Sequence, residues 1–148
     1  MKTNIEVISM GEVGEFTGKR PGLWMGLLFS GDRWYCCNEG VAMKDEQGEI
    51  LGIATISFKG EDHSGQPGIV GLYTIPEARN GKVGINVGFE VFEATVERCI
   101  NDHGFTNIRV DVLSPYALKI VDKLDDDLKQ HLDIHDMSAS MGPMADQP

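Results

Sequence analysis

Cysteine is scarce in this chain and poorly spaced for chemistry. Cys36, Cys37 and Cys99 are all it holds, and no Cys-x-x-Cys pair occurs. Neighbouring cysteines bridge only with difficulty, so the expectation is three thiols in a reducing compartment. Basic residues are also few: 13 Lys and Arg stand against 23 Asp and Glu, for a net charge of −10. That balance repels phosphate backbones and anionic lipid, and argues against nucleic acid or a membrane surface as partner. No apolar run reaches the ~18 residues of a membrane helix. Met1 to Glu6 offers one Lys and no apolar stretch for a secretory leader, so a cytoplasmic location is expected. Gly-x-x-x-x-Gly-Lys-Ser/Thr and Gly-x-Gly-x-x-Gly are both missing, which leaves an ATP P-loop and a dinucleotide fold unsupported.

What is present suits one globular domain. With 148 residues and a 41% hydrophobic share, a single domain over residues 1–137 is expected, followed by a disordered tail over 138–148. Asn4 to Met10 alternates loosely, as a first strand does. Gly11 to Arg33 is glycine-rich, so any helix there is short, and Leu23 to Phe29 forms an apolar patch for the core, a substrate wall or a homodimer contact. Trp34–Lys44 and Glu49–Lys59 read as a hairpin around the turn Asp45–Gly48. The second of these is apolar on both faces, which predicts a doubly covered sheet. A polar loop from Gly60 to Gly68 precedes a strand over Ile69–Ile75, halted by Pro76.

The period then changes. Ile85, Gly88, Phe89, Phe92, Val96, Cys99 and Ile100 recur at three and four, predicting an amphipathic helix that begins near Val83 and ends at Gly104. Ile108 to Leu113 alternates as a strand. Ser114-Pro115 sets a cap and a first-turn proline for a helix whose inner face runs Ala117, Ile120, Val121, Leu124 and Leu128. The order describes an α/β fold, a mixed sheet flanked by helices, with the strands before and after the first long helix parallel through a right-handed crossover.

Chemistry concentrates between Pro76 and Gly84. Gly81 and Gly84 permit a turn that aims amides outward, the next helix adds its positive end, and Arg79 and Lys82 add cations. Such a turn suits a diphosphate; a plain strand-to-helix turn with solvated basic residues is the alternative.

The segment Leu72-Tyr73-Thr74-Ile75-Pro76-Glu77-Ala78-Arg79-Asn80-Gly81-Lys82-Val83-Gly84 resembles the acetyl-coenzyme A signature of the GNAT N-acetyltransferase superfamily, Leu-x-Val-x-Pro-x-x-Arg-x-x-Gly-x-Gly. The resemblance covers roughly Glu49 to Leu124. It implies a GNAT-like sheet and acetyl transfer from acetyl-CoA to a primary amine. It also implies that Thr74 and Ile75 hold the acetyl carbonyl and pantetheine, while Arg79, Asn80, Gly81, Lys82, Val83 and Gly84 wrap the diphosphate. Ser114 stands where the family has Asn, and Val121 where it has the Tyr that protonates the leaving thiolate. Tyr116 or Tyr73 is the candidate replacement. Lys82 occupies the place of the family's inner glycine, and one glycine-rich stretch replaces its two N-terminal helices. These departures leave open a degenerate acyl-CoA-binding or protein-interaction module.

Glu61, Asp62 and His63, on the loop entering the signature strand, are candidate bases, Glu61 first; a solvated loop is the plainer reading. His131 and His135 stand four apart, as zinc ligands on a helix do, but at a fraying helix end with no anchored third ligand no metal is expected. Asp125-Asp126-Asp127 reads as a solvated face.

Overall fold

The computed structural model describes residues 2–20, 29–30, 33–34, 37–59 and 65–137. The chain runs β1 (Asn4–Ile8), α1 (Met10–Gly18), β2 (Phe29–Ser30), β3 (Arg33–Trp34), β4 (Glu39–Lys44), β5 (Ile50–Ser57) and β6 (Gly68–Thr74). A 3₁₀ turn (Pro76–Gly81) leads to α2 (Val87–Glu97), a π turn (Arg98–Asp102), β7 (Ile108–Val112), α3 (Pro115–Asp122), α4 (Asp126–Lys129) and β8 (Leu132–Asp136). The fold is mixed α/β. Six strands form one sheet in the order β1-β4-β5-β6-β7-β8, and β2 and β3 form a separate antiparallel pair.

Asp45 makes the hairpin turn. Its carboxylate accepts the amides of Gln47 and Glu49 at 2.9 and 3.0 Å, and Gly48 takes the left-handed conformation at φ 81°. The strand expected over Trp34–Lys44 begins only at Glu39. Asn38 is the reason: its amide donates to the Ile56 carbonyl at 2.8 Å, and its side-chain oxygen accepts the Phe58 amide at 2.8 Å. Asn38 thus ties off the end of the ladder, and Trp34 belongs to the small pair. Residues Leu51 to Ser57 are all buried, as the missing alternation predicted.

Helices lie on both faces. Ser9 caps α1, accepting the Glu12 amide at 3.2 Å, and Val13, Phe16 and Thr17 are buried. On the other face α2 presses on β5 so closely that a Cβ at Gly52 would sit 2.6 Å from Val87 Cγ1. The helix begins at Val87, not near Val83, because the Asn86 side chain accepts the Phe89 amide at 3.1 Å and fixes the cap there.

β6 and β7 are parallel, as expected. The helical face expected to run unbroken to Leu128 stops at Asp122, because Asp125 is extended (φ −59°, ψ 145°) and starts α4. The aspartate run is therefore a helix start, with Asp126 and Asp127 in the first turn where the dipole favours them. The expected fraying helix end at His131–His135 is instead a turn at His131 followed by β8, which is parallel to β7 along all five of its residues.

Glu39 anchors the far end of the sheet. Arg98 grips it with Nε at 2.8 Å and Nη2 at 3.1 Å, and His103 Nε2 lies 3.1 Å away, stacked on Phe105 and beside Phe58. Burial raises the Glu39 carboxyl, but the hydrogen bonds from Arg98 and then His103 outweigh it and hold it below the usual range. Cys99, next to Arg98 and 0% exposed, has its thiol pushed up to about 12 by burial and then by Glu39. Glu39→Gln should cost about 1–3 kcal/mol in urea unfolding at pH 7. Because the folded carboxyl is depressed, its contribution is complete above the unfolded value of ~4.3 and disappears as pH falls through the lower folded value. The gap between wild type and variant should therefore close in the same titration below about pH 4.

Candidate functional site

β6 and β7 touch only at their beginnings. They pair at Gly68–Arg109 and Ile69–Val110, while β6 continues to Thr74 and β7 to Val112. A register shift in the β5–β6 ladder, where Thr55 pairs Gly71 but Ile56 pairs Ile69, falls at this point. Such a bulge changes which residues turn their backbone groups to which neighbour, and it ends pairing. Beyond it, Ile75 donates to the Leu51 carbonyl at 3.0 Å, so 71, 73 and 75 address β5. Leu72 and Thr74 then aim their backbone groups into the gap with β7.

Arg79 closes the end of this strand. Its Nε donates to the Thr74 carbonyl at 2.8 Å, and its guanidinium lies over the Tyr73 ring at 5.2 Å. Arg79 thus braces the strand end, a use the signature alone did not suggest. The turn after it takes three left-handed residues: Asn80 (φ 59°), Gly81 (φ 73°) and Gly84 (φ 93°). Lys82 is right-handed at φ −58°, ψ −26°, so its side chain brings no strain. The positive φ that a glycine serves falls instead on Gly81, one residue earlier. Space around Gly81 and Gly84 is open: a Cβ at either position would meet no atom within 4 Å. Val83 is half-buried, and beyond the turn the Asn86 cap leaves the first α2 amides, at Val87 and Gly88, outside its reach.

Gly88 forms a notch. A Cβ there would lie 3.1 Å from Ile120 Cδ1, 3.3 Å from Thr74 Oγ1 and 3.5 Å from Tyr116 Oη. The two hydroxyls therefore flank one point, and Thr74 Oγ1 is buried with no hydrogen-bond partner among the described residues. Ser114 is 3% exposed and its hydroxyl caps α3, accepting the Ala117 amide at 3.0 Å, so it serves the helix rather than the gap. Val121 is buried in the core at 3% exposure.

The sheet separates the two candidate tyrosines. Thr74 pairs with Gly52 on the α2 face, so Tyr73 points to the α1 face, where it meets Phe16 edge-on at 6.2 Å. The structure thus gathers Thr74, Gly88 and Tyr116 on one face and leaves Tyr73 on the other. Glu61, Asp62 and His63 lie outside the described residues, as do Leu23 to Leu28, residues 138–148 and the side chain of Phe29.

On the α1 face β7 and β8 carry a charged group that sequence reasoning missed. Arg109 Nε donates to Asp111 Oδ1 at 2.9 Å, and the Asp111 side chain is 1% exposed. Asp133 Oδ2 accepts the Gln66 amide at 2.7 Å, and His135 Nε2 lies 3.1 Å from Asp133 Oδ1. The Gln66 amide and then the His135 ring hold the Asp133 carboxyl below the usual range. The signal was the alternation of Arg109, Asp111, Asp133 and His135 with apolar neighbours. His131 lies in the turn before β8 and His135 within that strand, so the two do not form the helical pair a zinc ion uses. No helix among the described residues is long and apolar enough to cross a membrane, and none of their side chains form a metal-binding group of three.

Gly84→Ala should lower stability by ~1–2 kcal/mol in thermal unfolding, since φ 93° suits only glycine. Lys82→Gly, freeing a residue that needs no freedom, should cost ~0.4–1 kcal/mol by the same assay. Compared with known proteins, the chain matches no family model, no curated protein and no solved structure.

Proposed function

We propose that this chain is an N-acetyltransferase that takes its acetyl group from acetyl-CoA and passes it to a primary amine. The observation that carries the reading is the gap between β6 and β7, which follows a bulge near the start of β6 and opens toward the carboxyl ends of the parallel strands. It lies beside a turn of left-handed residues that leads into a helix N-terminus. In open α/β sheets, ligands bind at such a place, and the GNAT signature falls on this strand and turn. The notch at Gly88 and the unpartnered Thr74 hydroxyl fit a polar atom of a bound thioester.

In this reading the turn from Asn80 to Gly84, with Lys82 and the first amides of α2, holds the diphosphate. The Leu72 and Thr74 amides aim at the thioester oxygen and stabilise the charge it gains as nitrogen attacks. Tyr116, beside the same notch, donates a proton to the sulfur as the C–S bond breaks, the role for which Val121 is unsuited. Arg79 fixes the strand end, and Thr74 contributes backbone and hydroxyl together. The amine loses its protons on the other side of the gap.

A second reading, a GNAT-like module that binds acyl-CoA or protein without turnover, rests on Val121 being part of the core. Calorimetric titration with acetyl-CoA separates the two from any unrelated function: micromolar binding, lost in Gly84→Glu, is expected of both. Thiol release with an amine panel then separates them from each other. Tyr116→Phe should lower kcat by roughly 10²–10⁴-fold while leaving acetyl-CoA affinity within twofold. Absence of binding in the wild-type protein would sink the proposal.

A further inference from the structure

At the edge of the sheet farthest from β8 a strand is left without an outer neighbour. β1 pairs with β4 in a regular antiparallel ladder, and no described strand lies on its other side. In such a ladder every second residue turns its amide and carbonyl away from the partner. The outer side of β1 therefore offers hydrogen bonds to an incoming chain. Edge strands are commonly blunted by a lysine, a proline or a bulge. Asn4 to Ile8 has none of these. Ile5 and Val7 are instead exposed, at 38% and 44%.

These two side chains share the α2 face. Gly52, the residue beneath Val87, pairs with Met43, and Met43 pairs with Ile5, while Val7 pairs with Val41. Met43 and Val41 are buried, so the apolar row begins in the core and runs out to the edge. There it floors a groove of about 360 Å³, walled by Ala94 and Glu97 of α2 and by Arg98 and Asp102 of the π turn. The wall is acidic in balance. Arg98 is shared between Glu39 and Asp102, and among the described residues no cation pairs with Glu97. The carboxyl of Glu93, one turn earlier, is pushed up by burial and then by Glu97 and Glu90. On the opposite face Glu6 and Glu12 share one cation, Lys44.

We propose that the β1 edge and this groove dock an extended segment of another protein, one that alternates apolar and basic residues. The segment pairs with β1 as a seventh strand of the sheet. Its apolar side chains continue the row of Ile5 and Val7 over the groove, and its basic ones lie beside Glu6 and Glu12 on the opposite face. Its positive charge is drawn by Glu97 and Glu93 across the groove. A second copy of the chain fits poorly. Two β1 strands in full antiparallel register set Glu6 directly opposite Glu6, a destabilising pair, and bring together chains of net charge −10. β4 and β5 separate β1 from β6, so the site is independent of the acetyltransferase reading.

The test uses the full chain and two capped peptides, Lys-Ile-Lys-Val-Lys-Ile-Lys and its isomer Lys-Lys-Ile-Val-Ile-Lys-Lys. The isomer has the same charge and composition but has lost the alternation a strand needs. The alternating peptide should shift the amide resonances of Asn4 to Ile8 in NMR and slow their hydrogen exchange. The isomer should bind about tenfold more weakly. Val7→Lys, which blunts the edge, should weaken binding of the alternating peptide about tenfold. Glu97→Lys, at an exposed helical position, should weaken it about threefold at low salt and less at high salt. That second variant keeps the test decisive if Val7→Lys does not fold. Equal binding of the two peptides would mean attraction by charge alone and would overturn the docking site. So would unchanged resonances and exchange at Asn4 to Ile8. A dimer in sedimentation of the chain alone, dispersed by Val7→Lys, would give the edge to a second copy and overturn it too.

Discussion

The proposed acetyl transfer depends on one backbone constraint, the two-residue length of the β6–β7 pairing. Parallel strands joined by a helix ordinarily stay paired along their length. Here the bulge opposite Thr55 and Ile56 turns β6 toward β5, and the ladder with β7 lapses. A gap in a sheet exposes backbone polar groups that must find partners. The Thr74 carbonyl finds one in Arg79, which shows how the strand end keeps its shape without β7. The close seat of Val87 over Gly52 pins α2 to β5 at the same height, so the helix N-terminus cannot drift from the gap.

The two sides of that gap differ in kind. Toward α2 and α3 lie small groups and hydroxyls, with Ile120 packed against Gly88 beside them. Toward α1 lie a buried carboxylate, an arginine and an imidazole. The division follows from alternation: Ile108, Val110 and Val112 of β7 are buried, which leaves Arg109 and Asp111 for the other face. Glu39 and its partners stand at the opposite end, where they fasten the π turn after α2 to the start of β4.

Local chemistry made much of the fold legible in the sequence. The Asp45 turn, the stop at Pro76, the Ser114-Pro115 cap and the parallel crossover were all readable because each depends on a few adjacent residues. The start of α2 was misplaced because the apolar period reaches back to Ile85, whereas Asn86 decides the cap by a single hydrogen bond. β8 was hidden for a different reason. Leu132 to Asp136 is short and follows a helix, and its state is set by pairing with β7, a partner some two dozen residues away. The bulge and the gap were invisible because they arise from registers of three strands at once. The candidate turn was found by its glycines and charges, but the brace formed by Arg79 and the notch at Gly88 needed the folded geometry.

The Thr74 hydroxyl carries a thermodynamic consequence. Among the described residues this buried donor has no partner, a lack that costs ~1–3 kcal/mol. A valine there would have nearly the same shape and no unpaired hydroxyl. The strand that lines the gap is therefore less favourable in isolation than its packing allows. Any molecule that offers an acceptor at that point recovers the deficit on binding, so affinity there exceeds what contact area alone would supply. Stability and recognition are opposed at this one side chain.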